Sequence, residues 1–195
     1  CALLEAIFSC AGYRLGCYTS PHLLRYNERV CVDQCPVSDA LLCQAFEQVN
    51  QARLECDVSL TYFEFGTLVA MTIFHQTDVD LAILEVGLGG RLDAVNIFDA
   101  DCSIVTSVGL DHMDYLGDTR DQIGFEKAGI FRKNKPAICA EPDVPDTVRQ
   151  QANDIDAVYS QINLDFGFTA EGGYWHYWGP YDRYHSLPYP ALRGD

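Results

Sequence analysis

The stretch that most constrains the fold is DLAILEVGLGGRLDAVN, residues 80–96. Residues 81–84 are all apolar, and they run directly into Glu85 and a glycine-rich loop at 87–90. This pattern predicts a buried strand of a parallel sheet that delivers a carboxylate to its carboxyl edge. Because ligands of open α/β sheets bind beyond that edge, we expect the chemistry of the protein to lie around Glu85.

The segments on either side of this stretch alternate between helical and extended patterns. Helices are predicted over 1–11, 38–54, 61–75, 119–129 and 146–152, and strands over 14–18, 29–33, 81–84, 102–108, 137–140 and 157–160. The alternation predicts an α/β fold, with a mostly parallel sheet flanked by helices. Aromatic runs on both sides of a Gly-Gly pair predict a small antiparallel β appendage. The expected division is a core over 1–165 and the appendage over 166–195.

Composition excludes some classes of partner. The chain has 28 acidic and 13 basic residues and a formal net charge of -15, which disfavours nucleic acid and anionic membranes. A nucleotide is still allowed, because a phosphate site needs only a few local donors and a metal. Nine scattered cysteines without paired zinc-site spacings indicate reduced thiols in a cytoplasmic protein. No run is long enough to predict a membrane span.

Five residues could carry chemistry at the edge of the sheet. Glu85 ends one apolar strand, Asp111 and His112 follow the next, Ser20 lies in a turn after the first strand, and Lys127 lies on a helix. Each also has an ordinary explanation as a turn, surface or structural residue. Carboxylate and hydroxyl oxygens suit Mg²⁺. A histidine ligand would make Mn²⁺ acceptable as well.

The glycine-rich loop is a weaker signal. Gly87 and Gly89 are not followed by a third glycine, because position 92 is Leu92. The dinucleotide fingerprint GxGxxG is therefore not met, which argues against a nicotinamide-dependent oxidoreductase.

Five motifs occur in an order that is typical of one enzyme family. They are YTSPHLLRYNERV (18–30), TYFEFGTLVAM (61–71), LEVGLGGRLDAVN (84–96), SVGLDHMDYLG (107–117) and EKAGIFRKNKPAI (126–138). Together they resemble the bifunctional dihydrofolate synthase and folylpolyglutamate synthase family of Mur-type ATP-dependent amide ligases. The resemblance implies the Mur ligase central domain, which is P-loop NTPase-like, and it is close over residues 1–142.

The resemblance assigns catalytic and metal-binding roles. It implies that Ser20, Glu85 and His112 bind magnesium, with Glu85 and His112 counted among the catalytic residues. It also implies that Lys127 is catalytic and carbamylated. A carbamate offers anionic oxygens to a cation, whereas an ammonium group would repel it.

The resemblance also implies a site for the pterin end of the substrate. Asp93 would accept hydrogen bonds from pterin N–H groups, Phe63 would stack on the ring, and Ala94 and Thr61 would complete the site. Thr61 is equally well explained as the cap of a helix, because the sequence Thr61-x-x-Glu64 has the capping-box form.

The implied activity is ATP-dependent ligation of L-glutamate to dihydropteroate, to tetrahydrofolate polyglutamates, or to both, through an acyl phosphate. ATP, L-glutamate and the pterin or reduced folate are the expected partners, with Mg²⁺ as cofactor and a cytoplasmic monomer as the expected state. Two alternatives stay open: a Mur-type cell-wall amino acid ligase, and a non-catalytic nucleotide-binding fragment.

Two family features are missing from the sequence. The phosphate-binding GKGS/T loop is expected immediately before Cys1, and a C-terminal ligase domain is expected after Asp195. We therefore expect a partial Mur-type ATPase domain that does not turn over by itself.

Overall fold

The computed structural model describes residues 1–190, which fall into two compact units. The first unit comprises Cys1–Leu88 and Asp93–Phe98, and the second comprises Gly89–Leu92 and the chain from Asp99 onward. Positions 191–195 of the predicted appendage lie outside the described residues.

The first unit is built on a four-stranded sheet with three helices. Its elements are α1 (Ala2–Cys10), β1 (Leu15–Tyr18), β2 (Val30–Val32), β3 (Cys35–Pro36), α2 (Asp39–Glu55), α3 (Tyr62–Gln76) and β4 (Leu81–Leu84), with short 3-10 helices at Tyr26–Arg29 and Ala94–Ile97. The strand order is β3-β2-β1-β4, in which β1 and β4 are parallel and the other pairs are antiparallel. The core packs α2 and α3 against the sheet through side chains that include Tyr18, Val30, Val69 and Phe74.

The second unit contains two three-stranded sheets. Its elements are β5 (Ser103–Val105), α4 (Met113–Leu116), α5 (Arg120–Ala128), β6 (Pro136–Cys139), α6 (Asp146–Asp154), β7 (Val158–Gln161), β8 (Gly167–Glu171), β9 (Tyr174–Trp178) and β10 (Arg183–Pro188). Strands β5, β6 and β7 form a parallel sheet in that order, and β8, β9 and β10 form an antiparallel sheet. Helices α5 and α6 pack against each other.

The structure confirms the predicted α/β class with its small antiparallel part, and it corrects three details. Strands β2 and β3 make the first sheet mixed rather than parallel. Strand β10 was not predicted, because its sequence lacks a regular alternation of apolar and polar residues. In the structure its pairing with β9 is interrupted by a register shift between Tyr184 and Leu187. The predicted burial of β4 is wrong for most of the strand: only Ile83 is buried and Ala82 is exposed. The reason is that β4 ends the strand order of its sheet, so one side of it has no neighbouring strand among residues 1–190.

Among the six helices described over residues 1–190, none combines the length and apolarity needed to cross a membrane.

Candidate active site

Ser20 and Glu85 lie side by side at the carboxyl edge of the first sheet. The parallel register of β1 with β4 pairs Tyr18 with Leu84, so the residues that follow both strands emerge together. The Glu85 N–H continues this ladder by donating to the Tyr18 carbonyl at 2.9 Å. The Ser20 N–H then donates to Glu85 Oε2 at 2.8 Å. This places a half-buried carboxylate and a hydroxyl at the edge where ligands of α/β sheets bind.

The loop that carries Ser20 is held by a second carboxylate, that of Glu28, which was not predicted from the sequence. Glu28 accepts hydrogen bonds from the backbone N–H groups of Leu23 at 2.7 Å, Leu24 at 2.9 Å and Arg25 at 2.6 Å. These backbone donors favour the charged form and hold the pKa of Glu28 below its usual value of 4.5. The contribution of Glu28 to the loop is therefore fully present above pH 4.5 and is lost as the pH falls through the lowered pKa.

We expect Glu28→Gln to loosen this loop without unfolding the protein. The neutral amide keeps the shape of the side chain but loses the charge that strengthens its hydrogen bonds. Amide hydrogen exchange at Leu23 and Leu24 should become faster at neutral pH, while exchange at the buried Ile73 should not change.

Glu64→Gln provides a matched control for this prediction, because Glu64 also caps a backbone N–H and also has a lowered pKa. It should speed exchange at Thr61 instead of at Leu23 and Leu24. Equal protection of Leu23 and Leu24 in Glu28→Gln and in the unchanged protein would show that the carboxylate does not order the loop.

The predicted pterin residues Phe63, Asp93 and Ala94 lie around the start of the glycine-rich loop. A Cβ on Gly87 would come within 2.7 Å of Phe63 Cζ, so the half-buried ring lies directly against the loop backbone. Asp93 Oδ2 accepts from the N–H groups of Gly87 at 3.0 Å and Leu88 at 2.9 Å. Asp93 also caps the 3-10 helix that begins at Ala94. The start of the loop, the aromatic ring and the carboxylate therefore form one local arrangement within the first unit.

Thr61 has the capping role that its sequence predicts. Its Oγ1 accepts from the Glu64 N–H at 3.2 Å, and Glu64 Oε2 accepts from the Thr61 N–H at 2.7 Å. This capping box fixes the first turn of α3 and with it the position of Phe63, whose ring centroid is 5.7 Å from that of Tyr18.

In the second unit, the end of the glycine-rich loop packs on the helix that carries Lys127. Arg91 donates to both carboxylate oxygens of Glu126, at 2.9 to 3.2 Å, and its N–H donates to the Glu126 carbonyl at 2.8 Å. A Cβ on Gly90 would come within 2.8 Å of the same carbonyl oxygen, so this close approach requires glycine. Lys127 is half-buried, and no carboxylate oxygen in residues 1–190 lies within 4 Å of its Nζ.

His112 follows β5 in a loop with a left-handed backbone. Its φ is 52°, and its Nε2 lies 3.6 Å from Asp111 Oδ2. The chain before it is held by Arg120, whose Nε donates to the Val108 carbonyl at 2.9 Å, and by Glu141, which accepts from the Val108 N–H at 2.9 Å. Arg120 and Glu141 could not be predicted from the sequence, because each contacts a residue that is distant in the chain.

The structure therefore brings together Ser20 with Glu85, and Phe63 with Asp93, all in the first unit, whereas His112 and Lys127 belong to the second. Over residues 1–190, no three His, Cys, Asp or Glu side chains are grouped to hold a metal ion. The predicted magnesium ligands include only two residues of those types and a serine hydroxyl, so this set remains a prediction.

Comparison with known sequences gives a consistent family assignment. The Mur ligase middle domain matches residues 50–167. The dihydrofolate synthase/folylpolyglutamate synthase of Escherichia coli (strain K12) is 45% identical over 192 residues, which is 98% of this chain and 45% of the relative. The corresponding protein of Haemophilus influenzae is 45% identical over 189 residues, or 97% of this chain and 43% of the relative. The chain thus spans a little less than half the length of these relatives.

Solved structures agree with the sequence relatives. E. coli FolC in complex with DHPP and ADP matches with a TM-score of 0.95 and 45% identity, covering 97% of this chain and 45% of that one. A bifunctional folylpolyglutamate synthase/dihydrofolate synthase with Mn, AMPPNP and L-glutamate bound matches with a TM-score of 0.89 and 47% identity, covering 96% and 45%. On this evidence the chain belongs to the Mur ligase family, through its middle domain, and is similar to the dihydrofolate synthase/folylpolyglutamate synthases.

Proposed function

We propose that the protein containing this chain ligates L-glutamate to dihydropteroate and to reduced folates, with ATP as the energy source. The observation that carries the proposal is the arrangement along one loop of the first unit. Glu85, paired with Ser20, is two residues from Gly87, on which the Phe63 ring lies and to which Asp93 is hydrogen bonded. Relatives that are 45% identical bear the names of these two synthases.

Phe63 and Asp93 would recognise the pterin. Asp93 already accepts three backbone N–H groups, from Gly87, Leu88 and Val95. A carboxylate has about four acceptor positions, so one remains for a pterin N–H. Because the same carboxylate shapes the loop, pterin recognition and the shape of the glycine loop depend on one side chain. Thr61 and Ala94 flank this position through α3 and the 3-10 helix, which contact each other.

The residues present fit a hard divalent cation. Glu85 accepts one hydrogen bond, at Oε2, and Oε1 accepts none from residues 1–190. A half-buried carboxylate with a free oxygen beside a serine hydroxyl is a suitable donor set for Mg²⁺, which prefers oxygen ligands. We propose Ser20 and Glu85 as ligands, with His112 as the third by resemblance, which also suits Mn²⁺. The bound cation would neutralise charge on the phosphoryl group that passes from ATP to the substrate carboxylate.

Lys127 is proposed to act as a carbamate. Its half-buried amine has no carboxylate partner within residues 1–190, so it is available to react with carbon dioxide. After the ammonium group loses a proton, the neutral amine forms an N–C bond to carbon dioxide and a second proton leaves the nitrogen. The single negative charge of the resulting carbamate is shared by its two oxygens. The ion pair of Arg91 with the preceding Glu126 holds this turn of α5 in place.

We also propose a cytoplasmic location. All nine cysteines are free thiols. Burial and the nearby Glu5 carboxylate raise the pKa of the Cys17 thiol to about 12, so this thiol stays protonated and unreactive at neutral pH. A chain that keeps nine thiols unpaired suits a reducing compartment.

The proposed function is tested by ADP release from the full-length protein with Mg²⁺ and L-glutamate. We expect release to depend on an acceptor and to occur with both dihydropteroate and tetrahydrofolate. Release with tetrahydrofolate alone would restrict the activity to the polyglutamate synthase. If folded, ATP-binding protein released no ADP with either acceptor, but did so with a nucleotide-linked cell-wall peptide, the folate assignment would be wrong.

A further inference from the structure

The antiparallel sheet of the second unit carries a pair of histidines to which neither the fold nor the proposed ligase reaction gives a role. His176 lies on β9 and His185 on β10. Their Nδ1 atoms are 3.3 Å apart, their ring centroids are 5.5 Å apart and the ring planes are inclined at 59°. His185 is exposed and His176 is half-buried, so the pair is open to solvent.

An irregularity in β10 creates this pair. The register of β9 with β10 shifts between Tyr184 and Leu187, and Ser186 at the shift has a φ of 54°. A serine in this left-handed conformation is unusual, and such residues and bulges concentrate where a side chain is re-aimed for function. The bulge places His185 against His176 on the neighbouring strand.

The bulge also determines the tautomer of the His176 ring. The Ser186 N–H donates to His176 Nδ1 at 3.2 Å. His176 Nδ1 is therefore an acceptor, and the proton of its neutral ring lies on Nε2. His176 Nδ1 thus carries no proton, and it lies 3.3 Å from the Nδ1 of His185.

We propose that His176 and His185 form a binding site for a divalent transition-metal cation that prefers imidazole ligands, with Zn²⁺ as the type. Zinc binds histidine nitrogen at about 2.0–2.1 Å in tetrahedral geometry, which separates two ligand atoms by about 3.3–3.4 Å. The observed separation of 3.3 Å therefore already matches two positions of a zinc coordination sphere. Mg²⁺ prefers oxygen ligands and should not compete for the pair.

The exchange balances in protons. In the metal-free pair, His185 Nδ1 donates its proton to His176 Nδ1, so the pair shares one proton between two nitrogens. Zn²⁺ takes the place of that proton: His185 loses the proton on Nδ1 to solvent and takes one up from solvent on Nε2, so both rings remain neutral with N–H at Nε2 and no net proton is released. The Ser186 N–H loses its acceptor, and it can then bond to water because Ser186 is exposed. Water molecules occupy the zinc coordination positions that the two rings leave open.

Histidine-ring ¹H–¹⁵N spectra of the protein during titration with Zn²⁺ test the site. We expect the Nδ1 resonances of His176 and His185 to shift together, at a Zn²⁺ concentration that leaves the isolated, exposed His75 unchanged. An excess of Mg²⁺ should produce no shift. Because the readout is the rings themselves, Zn²⁺ bound to exposed cysteines does not produce the signal.

Two variants test whether the two histidines bind Zn²⁺ as a pair. In His185→Asn the Zn²⁺-dependent shift of His176 should be lost, and in His176→Gln that of His185 should be lost. His75→Asn is the matched control and should leave both shifts intact. A His176 shift that survives in His185→Asn, or a pair that responds no more strongly than His75, would overturn the proposal. These results are independent of ADP release, so they separate this proposal from the ligase assignment.

Discussion

Glu85→Ala is expected to abolish the proposed ligase activity of the full-length protein. Glu85 offers the anionic oxygen at the carboxyl edge of β4, and its Oε2 also accepts the Ser20 N–H at 2.8 Å. A cation at such a site stabilises the charge on a transferring phosphoryl group by several kcal/mol, and each 1.36 kcal/mol is a factor of ten in rate. We therefore expect kcat to fall by roughly a hundredfold to a thousandfold or more. The measurement is steady-state ADP release at saturating ATP and acceptor.

Glu85→Gln removes the negative charge of the side chain while keeping its shape and its hydrogen bond. The amide oxygen still accepts the Ser20 N–H, so the loop keeps its position while the anionic ligand is lost. We expect activity nearly as low as in Glu85→Ala, with unchanged denaturant unfolding and partial recovery at high Mg²⁺. Glu47→Ala, at an exposed position of α2, is the matched control and should be fully active. Near-normal activity of Glu85→Ala would contradict the assignment of Glu85 as a metal ligand.

The parts of this fold that could be predicted are those encoded by neighbouring residues. The capping box that begins α3 was readable from the sequence, because Thr61 and Glu64 lie within three residues of each other. The end of β4 at Glu85 was also predictable from adjacent residues, since an apolar run followed by a carboxylate and glycines has few other interpretations. Local propensity and tertiary structure agree at these points, which makes them reliable.

The parts that could not be predicted depend on distant partners. Ser20 and Glu85 are 65 positions apart, and Arg91 and Glu126 are 35 apart, so no periodicity links them. The family resemblance supplied the first pair as a hypothesis, and the parallel register of β1 with β4 supplies its physical cause. Glu28 was missed for a different reason: its three backbone partners are only three to five positions away, but no recognisable capping motif marks them in the sequence.

The prediction with the largest effect on stability concerns the contact of Gly16 with Phe74. Phe74 is 2% exposed at the end of α3, and a Cβ on Gly16 would come within 2.6 Å of its Cδ1. Phe74→Ala leaves a cavity and should lower the free energy of unfolding by about 3–5 kcal/mol. Gly16→Ala forces the ring to move in a close-packed core, which should cost about 1–3 kcal/mol. Urea unfolding followed by circular dichroism measures both effects.

Combining Gly16→Ala with a change at Phe74 tests whether the contact between these two residues causes the loss of stability. If Gly16→Ala destabilises by crowding the ring, the same change in a Phe74→Leu background should cost markedly less, because the smaller side chain leaves room for the new methyl group. A coupling of about 0.5–3 kcal/mol is typical of residues in contact. Leu54→Ala, at a residue of α2 that is 57% exposed, should change stability by far less than Phe74→Ala. Additive effects of Gly16→Ala and Phe74→Leu would show that glycine is required at position 16 for the strand itself. Coupling would instead show that the packing of Phe74 against β1, the strand that leads to Ser20, is what requires glycine at position 16.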